Sequence, residues 1–396
     1  MNIFRGLNNK VDPTSAVWQP GFASACDNSR IDDNMTWNQG PSLASHSETI
    51  DKIATGLGGN HMKVASYLGT RYIFTGLADA DTLVTGPNGY VYFVDNSGSS
   101  YPELWIGSKA SASGVAAQTT LSAITTSGIG TRMEEGIYYY MCTRYDPARD
   151  CESLASYIYE HYVAKRYEND VRIADVPVLP AVSGTATHVT RWYRSMCVPI
   201  AKGDTRQIGT HTVPTDFYFI GEAATGSTFS DYAHDSEINS QENLYTARGG
   251  RPPTNCDCIG AFDNRIFYFQ GQNIWWSSAG RPEEVPQLHT QTIYYTWSGG
   301  VWTAGTYKDK LTAGSAVTET LAYTYPLLDT GYRGEARLFC PDLASQNAVV
   351  AEEHNGKLWF WTETSTFYIE RADNVEGYRY VKVAEGIGAA SPHVLD

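Results

Sequence analysis

Basic residues are scarce in this chain. It has 29 Lys and Arg against 43 Asp and Glu, a formal net charge of −14. An acidic surface repels phosphate backbones, which argues against free nucleic-acid binding over most of the outside. A conduit for nucleic acid stays open, because an acidic lining lets DNA slide without sticking. Charge of either sign is also short, at 18% of the residues, which fits surfaces hidden against other chains. No apolar run approaches the ~18 residues of a membrane span, and Met1-Asn-Ile-Phe-Arg5 does not read as a signal peptide. The expected setting is a reducing cytoplasm. There are seven cysteines, an odd number. Cys256-Asp-Cys258 is a C-x-C pair without a matching second half, so it reads as buried thiols in a strand rather than a zinc site. Cys142 and Cys151 flank a polar turn and fit neighbouring strands, with no disulfide required.

Catalytic motifs are missing too. The sequence has no G-x-S-x-G elbow, P-loop, H-E-x-x-H or EF-hand loop. The carboxylate pairs Asp32-Asp33 and Asp79-Ala-Asp81 could hold Ca²⁺ or serve glycoside hydrolysis. They read instead as turn residues bonding their own backbone. Glu134-Glu135 and Glu283-Glu284 read as solvated turn charges. The histidines are scattered without ligand spacing. No catalytic, cofactor-binding or metal-binding residue is expected, and the chain is not expected to be an enzyme.

What the sequence has is aromatics and turns. It carries 27 Tyr, 10 Trp and 36 Gly, a mixture that favours strands over helices. Between 216 and 286, short aromatic and β-branched runs alternate with turn residues. Strands are expected at 63–68, 72–76, 83–85, 90–95 and 103–107, a spacing near ten residues. Gly86-Pro-Asn-Gly89 marks a hairpin, because Asn-Gly tolerates the positive φ such turns need. Further hairpins are expected at 266–270 with 274–277, 292–296 with 301–303, and 357–362 with 366–370. The segment 157–168 fits a helix by composition and strands by its Tyr and Val content. About seven strands within 136–235 match the size of an immunoglobulin- or fibronectin-like sandwich. Three phrases resemble one another: Asn88-Gly-Tyr-Val-Tyr-Phe93, Asn264-Arg-Ile-Phe-Tyr-Phe269 and Asn355-Gly-Lys-Leu-Trp-Phe360. Weak repetition of this kind is what a β-propeller leaves in sequence, and the residues outside the sandwich allow about six blades. The expected fold is therefore all-β: a propeller with an inserted β-sandwich. The expected divisions are 1–132 (opening segment and first blades), 133–236 (the sandwich) and 237–396 (remaining blades).

Trp275, Trp276, Trp359 and Trp361 are the candidate contact residues. Alternation along a strand puts one member of each set in the core and another on the opposite face. Core plus subunit or fibre contact is the favoured reading, with stacking on sugar rings as the rival.

Several phrases, in order, resemble the β-propeller tail nozzle (tail-tube) proteins of short-tailed bacteriophages. The opening Phe4-Arg-Gly-Leu-Asn-Asn9 with Asp12-Pro-Thr14, then Ala25-Cys-Asp-Asn28 with Ile31-Asp-Asp33, is similar to their first segment. Glu152-Ser-Leu-Ala-Ser156, Trp192-Tyr-Arg-Ser195, Phe217-Tyr-Phe-Ile-Gly221 and Phe229-Ser-Asp231 resemble their sandwich insertion. Arg251-Pro-Pro253, Asn264-Arg-Ile-Phe267, Trp276-Ser-Ser278 and Gly280-Arg-Pro-Glu283 resemble the re-entry into the propeller, and Gly386-Ile-Gly388 a late blade. The chain departs from that pattern at Asn34-Met-Thr-Trp-Asn38, where an Arg-rich close is common. The resemblance implies a virion tail protein made in the host cytoplasm. It would assemble as a ring of about six copies below the portal and adaptor, dock fibres or a needle, and pass double-stranded DNA through its lumen. It implies no cofactor. A carbohydrate-binding or depolymerising propeller and a capsid-associated or head–tail adaptor protein are the alternatives.

Overall fold

A computed structural model describes residues 29–31, 37–39, 52–54, 61–77, 82–94, 101–106, 109–110, 113–118, 122–156, 158–168, 171–199, 216–241, 243–244, 250–286, 288–298, 301–305, 317–324, 336–373 and 377–392. Asp32-Asp33, Asp79-Ala-Asp81 and the opening segment's Phe4–Asn9, Asp12–Thr14 and Ala25–Asn28 phrases lie outside the described residues. The chain divides into two units, Met1–Ile53 and Ala54–Asp396. The first holds an antiparallel pair, β1 (Ser29–Ile31) with β2 (Trp37–Gln39). β3 (Lys52–Ala54) falls at the division.

The second unit is a succession of antiparallel sheets. Strand takes 53% and helix 4%, which makes the chain all-β, and among the described residues no sheet closes on itself. β4 (His61–Tyr67) and β5 (Thr70–Leu77) form a hairpin over Leu68 and Gly69, both at positive φ. β6 (Thr82–Thr85), β7 (Val91–Val94), β8 (Glu103–Trp105) and β9 (Lys109–Ala110) make a four-stranded sheet in chain order. Phe74 of β5 joins the two groups. Its ring meets those of Phe93 and Trp105 edge-on, each at 5.5 Å.

The next nine strands make two sheets. They are β10 (Thr125–Thr131), β11 (Gly136–Asp146), β12 (Cys151–Glu152), β13 (Tyr159–Val163), β14 (Lys165–Glu168), β15 (Val171–Leu179), β16 (Val189–Arg194), β17 (Tyr218–Ala224) and β18 (Phe229–Ser230). One sheet runs β12-β11-β16-β17 with β13 also on β11; the other runs β10-β15-β14 with β18 on β15. One buried cluster draws Tyr138, Tyr140, Cys142 and Trp192 from the first sheet and Ala174 and Leu179 from the second. Within the ambiguous stretch 157–168, Tyr159–Val163 and Lys165–Glu168 form strands, which pair with β11 and β15. A single turn, α1 (Asp235–Ile238), follows, with His234 accepting the Ser236 N–H as its cap.

β19 (Cys258–Phe262), β20 (Arg265–Gln270) and β21 (Asn273–Trp276) begin a second four-stranded sheet. A separate three-stranded sheet of β22 (Leu288–Ser298), β23 (Val301–Gly305) and β24 (Val317–Thr324) intervenes. β25 (Arg337–Phe339) then returns to pair with β21. The last sheet is β26 (Ala348–His354), β27 (Lys357–Thr362), β28 (Ser365–Arg371) and β29 (Tyr378–Glu385), again in chain order. These two sheets share one aromatic core, in which Phe269 meets Phe360 at 5.0 Å and Phe360 stacks on Phe367 at 4.8 Å. Each such ring removed from water contributes about 1.5–3 kcal/mol.

The repeated phrase has a structural position. In three of the four-stranded sheets, β6–β9, β19–β21 with β25, and β26–β29, it forms the turn between the first and second strands and then the second strand itself: β7, β20 and β27. The turns need left-handed backbone, supplied by Gly89 (φ 81°), Asn264 (φ 58°) and Asn355 (φ 52°). The three strands that follow carry the large side chains their sheets bury.

Serines extend the ladders past the strand ends. Ser153, Ser156, Ser195 and Ser277 each donate a backbone N–H to a carbonyl across the sheet, of Arg144, Cys142, Tyr139 and Ile266 respectively. Each hydroxyl oxygen then accepts the N–H of that same residue, at 2.9–3.1 Å. A side-chain oxygen thus takes the place of the next strand carbonyl. All four serines are buried, so an unmade bond there would leave a dry N–H.

Candidate functional site

The loop after β21 corrects one expectation. Glu283 and Glu284 are not solvated; their exposures are 2% and 0%. Each is buried because distant chain brings partners to it. Glu283 accepts the Tyr92 hydroxyl of β7 (3.2 Å) and the Gly114 N–H, and pairs with Arg149 from the turn between β11 and β12. Arg149 also holds Asp146 at 2.7 Å. Glu284 accepts the Glu152 N–H at 2.7 Å. One dipeptide therefore ties together the first four-stranded sheet, the segment after it and the two-sheet region. Burial raises the Glu283 carboxyl above its ordinary range, and Arg149, the Gly114 N–H and Tyr92 offset this only in part. Glu134, by contrast, is exposed as expected.

Glu152 extends the network. It accepts the Tyr193 hydroxyl (2.7 Å) and that of Thr143, and pairs with Arg191 at 3.0 Å. Arg191 lies over the Tyr145 ring at 3.8 Å and reaches Glu222 at 2.8 Å. A second buried charge centre sits at the other end of β16. Arg194 is fully buried, 3.3 Å from Asp231 and 3.0 Å from Asp235, with its guanidinium 4.8 Å from the centre of the Tyr138 ring. Tyr140 donates to Asp231 at 2.9 Å.

Beside the Glu283 network lies an open groove of about 440 Å³. Val115, Leu154, Pro252 and Pro253 give it apolar walls, while Tyr101 and Trp275 add aromatic ones. Arg251 lies flat over Tyr101 at 3.9 Å and donates Nε to the Ser113 carbonyl at 3.3 Å. Trp275 donates its indole N–H to Gln270 (3.0 Å), which donates in turn to the Thr254 carbonyl (2.8 Å). Gly114 has a practical reason to be glycine: its φ is +76°, and a Cβ would stand 3.0 Å from Arg251 Cγ.

The four candidate tryptophans separate. Trp276 is fully buried among Phe267 and Tyr378, so it offers no surface to a partner; strand parity turned it inward. Trp275, one residue earlier, points the other way and lines the groove. Trp359 and Trp361 share a face of β27, two residues apart, and stack at 6.5 Å and 24°. Tyr368 of β28 adds to that strip, 5.3 Å from Trp359, and Lys357 covers it at 3.7 Å. Phe360, between the two tryptophans, faces the core.

Cys256 and Cys258 are buried, and burial pushes both thiols well up. Cys256 donates to the Pro253 carbonyl at 3.3 Å. Cys142 and Cys151 lie on paired strands and are free thiols. Among the described residues no group of three or more His, Cys, Asp or Glu is placed to hold a metal ion, and no helix is long and apolar enough to cross a membrane.

No protein-family model matches this chain, and no curated protein matches it. Sequence reasoning missed Arg149, Glu283 and Tyr101 as partners in a site. The available signal was Gly280-Arg-Pro-Glu-Glu284, in which Pro282 offers its carbonyl to the buried Tyr268 hydroxyl.

Proposed function

We propose that this is a structural virion protein of the tail-nozzle type found in short-tailed phages. The observation that carries the reading is the recurrence of one turn and aromatic strand at the same place in three four-stranded antiparallel sheets. Those sheets would be blades of a propeller of about six, and the two sheets of β10–β18 would be the inserted immunoglobulin-like sandwich. Three divisions follow: 1–132, 133–236 and 237–396. Copies would join head to tail in a closed ring of about six. The ring would extend the portal and adaptor, dock fibres or a needle, and let DNA leave through its lumen. Its work would be mechanical, with no catalytic residue. The strip of Trp359, Trp361 and Tyr368 is a suitable subunit or fibre contact, since aromatic side chains concentrate in interface cores.

The test is the mass and symmetry of the purified chain, by light scattering with negative-stain imaging. Closed rings with an axial hole support the reading, and Trp359→Ala with Trp361→Ala should then weaken them by about ten-fold or more in association. A chain that stays monomeric both alone and on a portal–adaptor platform overturns it.

A further inference from the structure

We infer that the groove beside Trp275 binds a carboxylate-bearing glycan, one or two sugar rings at a time. The site is built before any ligand arrives. Its wall at 113–118 is held on one side by Glu283, which accepts the Gly114 N–H, and on the other by Arg144, which donates to Gln118 Oε1 at 2.6 Å. Ser113 donates to the Pro102 carbonyl at 2.7 Å. On the opposite side the Trp275–Gln270–Thr254 chain fixes the indole plane. Such fixed walls lower the ordering cost of binding.

The lining selects the chemistry. A flat indole with proline and leucine behind it suits the C–H face of a pyranose, which is apolar although its edge is not. The volume falls in the roughly 300–1,000 Å³ range of small-molecule sites. Among the described lining residues, Arg251 and the Tyr101 phenol are the ionisable groups. Arg337, outside the lining, stands 5.3 Å from the centre of the Trp275 ring. A guanidinium presents a fork of donors that matches a carboxylate. The groove is open to solvent rather than enclosed, which suits a glycan of which only one or two rings are held. A proline-rich peptide is a poorer fit, because the indole N–H that would meet its carbonyl is already given to Gln270.

Calorimetric titration of the full chain tests this with three probes: digalacturonate, a hyaluronan disaccharide and sialyllactose, each beside its methyl ester. At least one acid should bind with Kd of about 1 mM or tighter, and its ester about ten-fold more weakly. Arg251→Gln should abolish the difference between acid and ester. Trp275→Leu should weaken both about ten-fold. Ala116→Trp, on the exposed wall, fills the groove without entering the core and should abolish binding, which keeps the test sound if Trp275→Leu unfolds the chain. The inference falls if no acid binds at about 10 mM, if the esters bind as well as the acids, or if binding survives Ala116→Trp. It does not rest on ring assembly, since a monomer carries the whole groove.

Discussion

The paired sheets of β19–β21 with β25 and of β26–β29 are held together differently from the two sheets of β10–β18. In the first, the buried cluster is built of rings and aliphatics: Phe267, Phe269, Trp276, Phe360, Phe367 and Tyr378. In the second, tyrosines and a tryptophan fill the middle, but charges are buried at the edges: Arg194 with Asp231 and Asp235, and Glu152 with Arg191. Dispersion and burial tolerate any pH. Buried ion pairs cost desolvation and hold only while both partners stay charged. One chain thus contains a region whose buried cluster is held by ring contacts and another whose buried edges are held by ion pairs.

The largest effect should come from the aromatic region. Phe360→Ala removes a ring that stacks on Phe367 and meets Phe269 at a tilt, and should cost about 3–5 kcal/mol in urea unfolding. The loss should be the same at pH 5 and pH 8, and a pH-dependent loss would erase the contrast between the regions. Arg194→Met should cost about 3 kcal/mol near neutral pH, because it leaves Asp231 charged and dry. Here the sign of the pH effect is fixed. Burial already holds the Asp231 carboxyl above its ordinary value, and Arg194 is the largest of the groups that oppose that rise, ahead of the Ala233 N–H and the Tyr140 hydroxyl. Without the arginine the folded chain binds the proton more tightly than the unfolded chain does. Stability of the variant is therefore present below the ordinary carboxylate range and lost as pH rises through the raised value. The deficit against the parent should shrink on acidification, and a constant deficit would mean that packing, not charge, is what Arg194 supplies. The smallest effect should be Ser277→Ala, at about 1–2 kcal/mol, from an Ile266 N–H left without its acceptor. Amide exchange should speed up locally at Ile266, and unchanged exchange there would refute the role given to the hydroxyl.

Sequence legibility followed the range of the interaction. Gly86-Pro-Asn-Gly89 and Asn264-Arg-Ile-Phe267 announce hairpins because a tight turn is decided by adjacent residues. Strand parity separates Trp275 from Trp276 for the same reason, although it does not say which of them faces inward. Glu283 and Glu284 could not be read correctly. Their neighbours Arg281 and Pro282 describe a turn, and what buries them is Arg149, Glu152 and Tyr92, far away in the chain. The groove was illegible on the same account, since Tyr101, Arg251 and Trp275 meet only after folding. The serines of Glu152-Ser-Leu-Ala-Ser156 stood out as a phrase, but their hydrogen-bonding role needed the facing strand.

The contact between Arg149 and Glu283 spans 134 positions of sequence. At about 5–20 residues per second, a ribosome delivers the second partner roughly 7–27 s after the first. During that interval the β11–β12 turn carries its arginine without the glutamate it will later bury, and the Gly114 N–H lacks its carboxylate acceptor. The finished molecule is fastened by a residue that arrives late, so the nascent chain must hold its first two-thirds in waiting before the last third closes them.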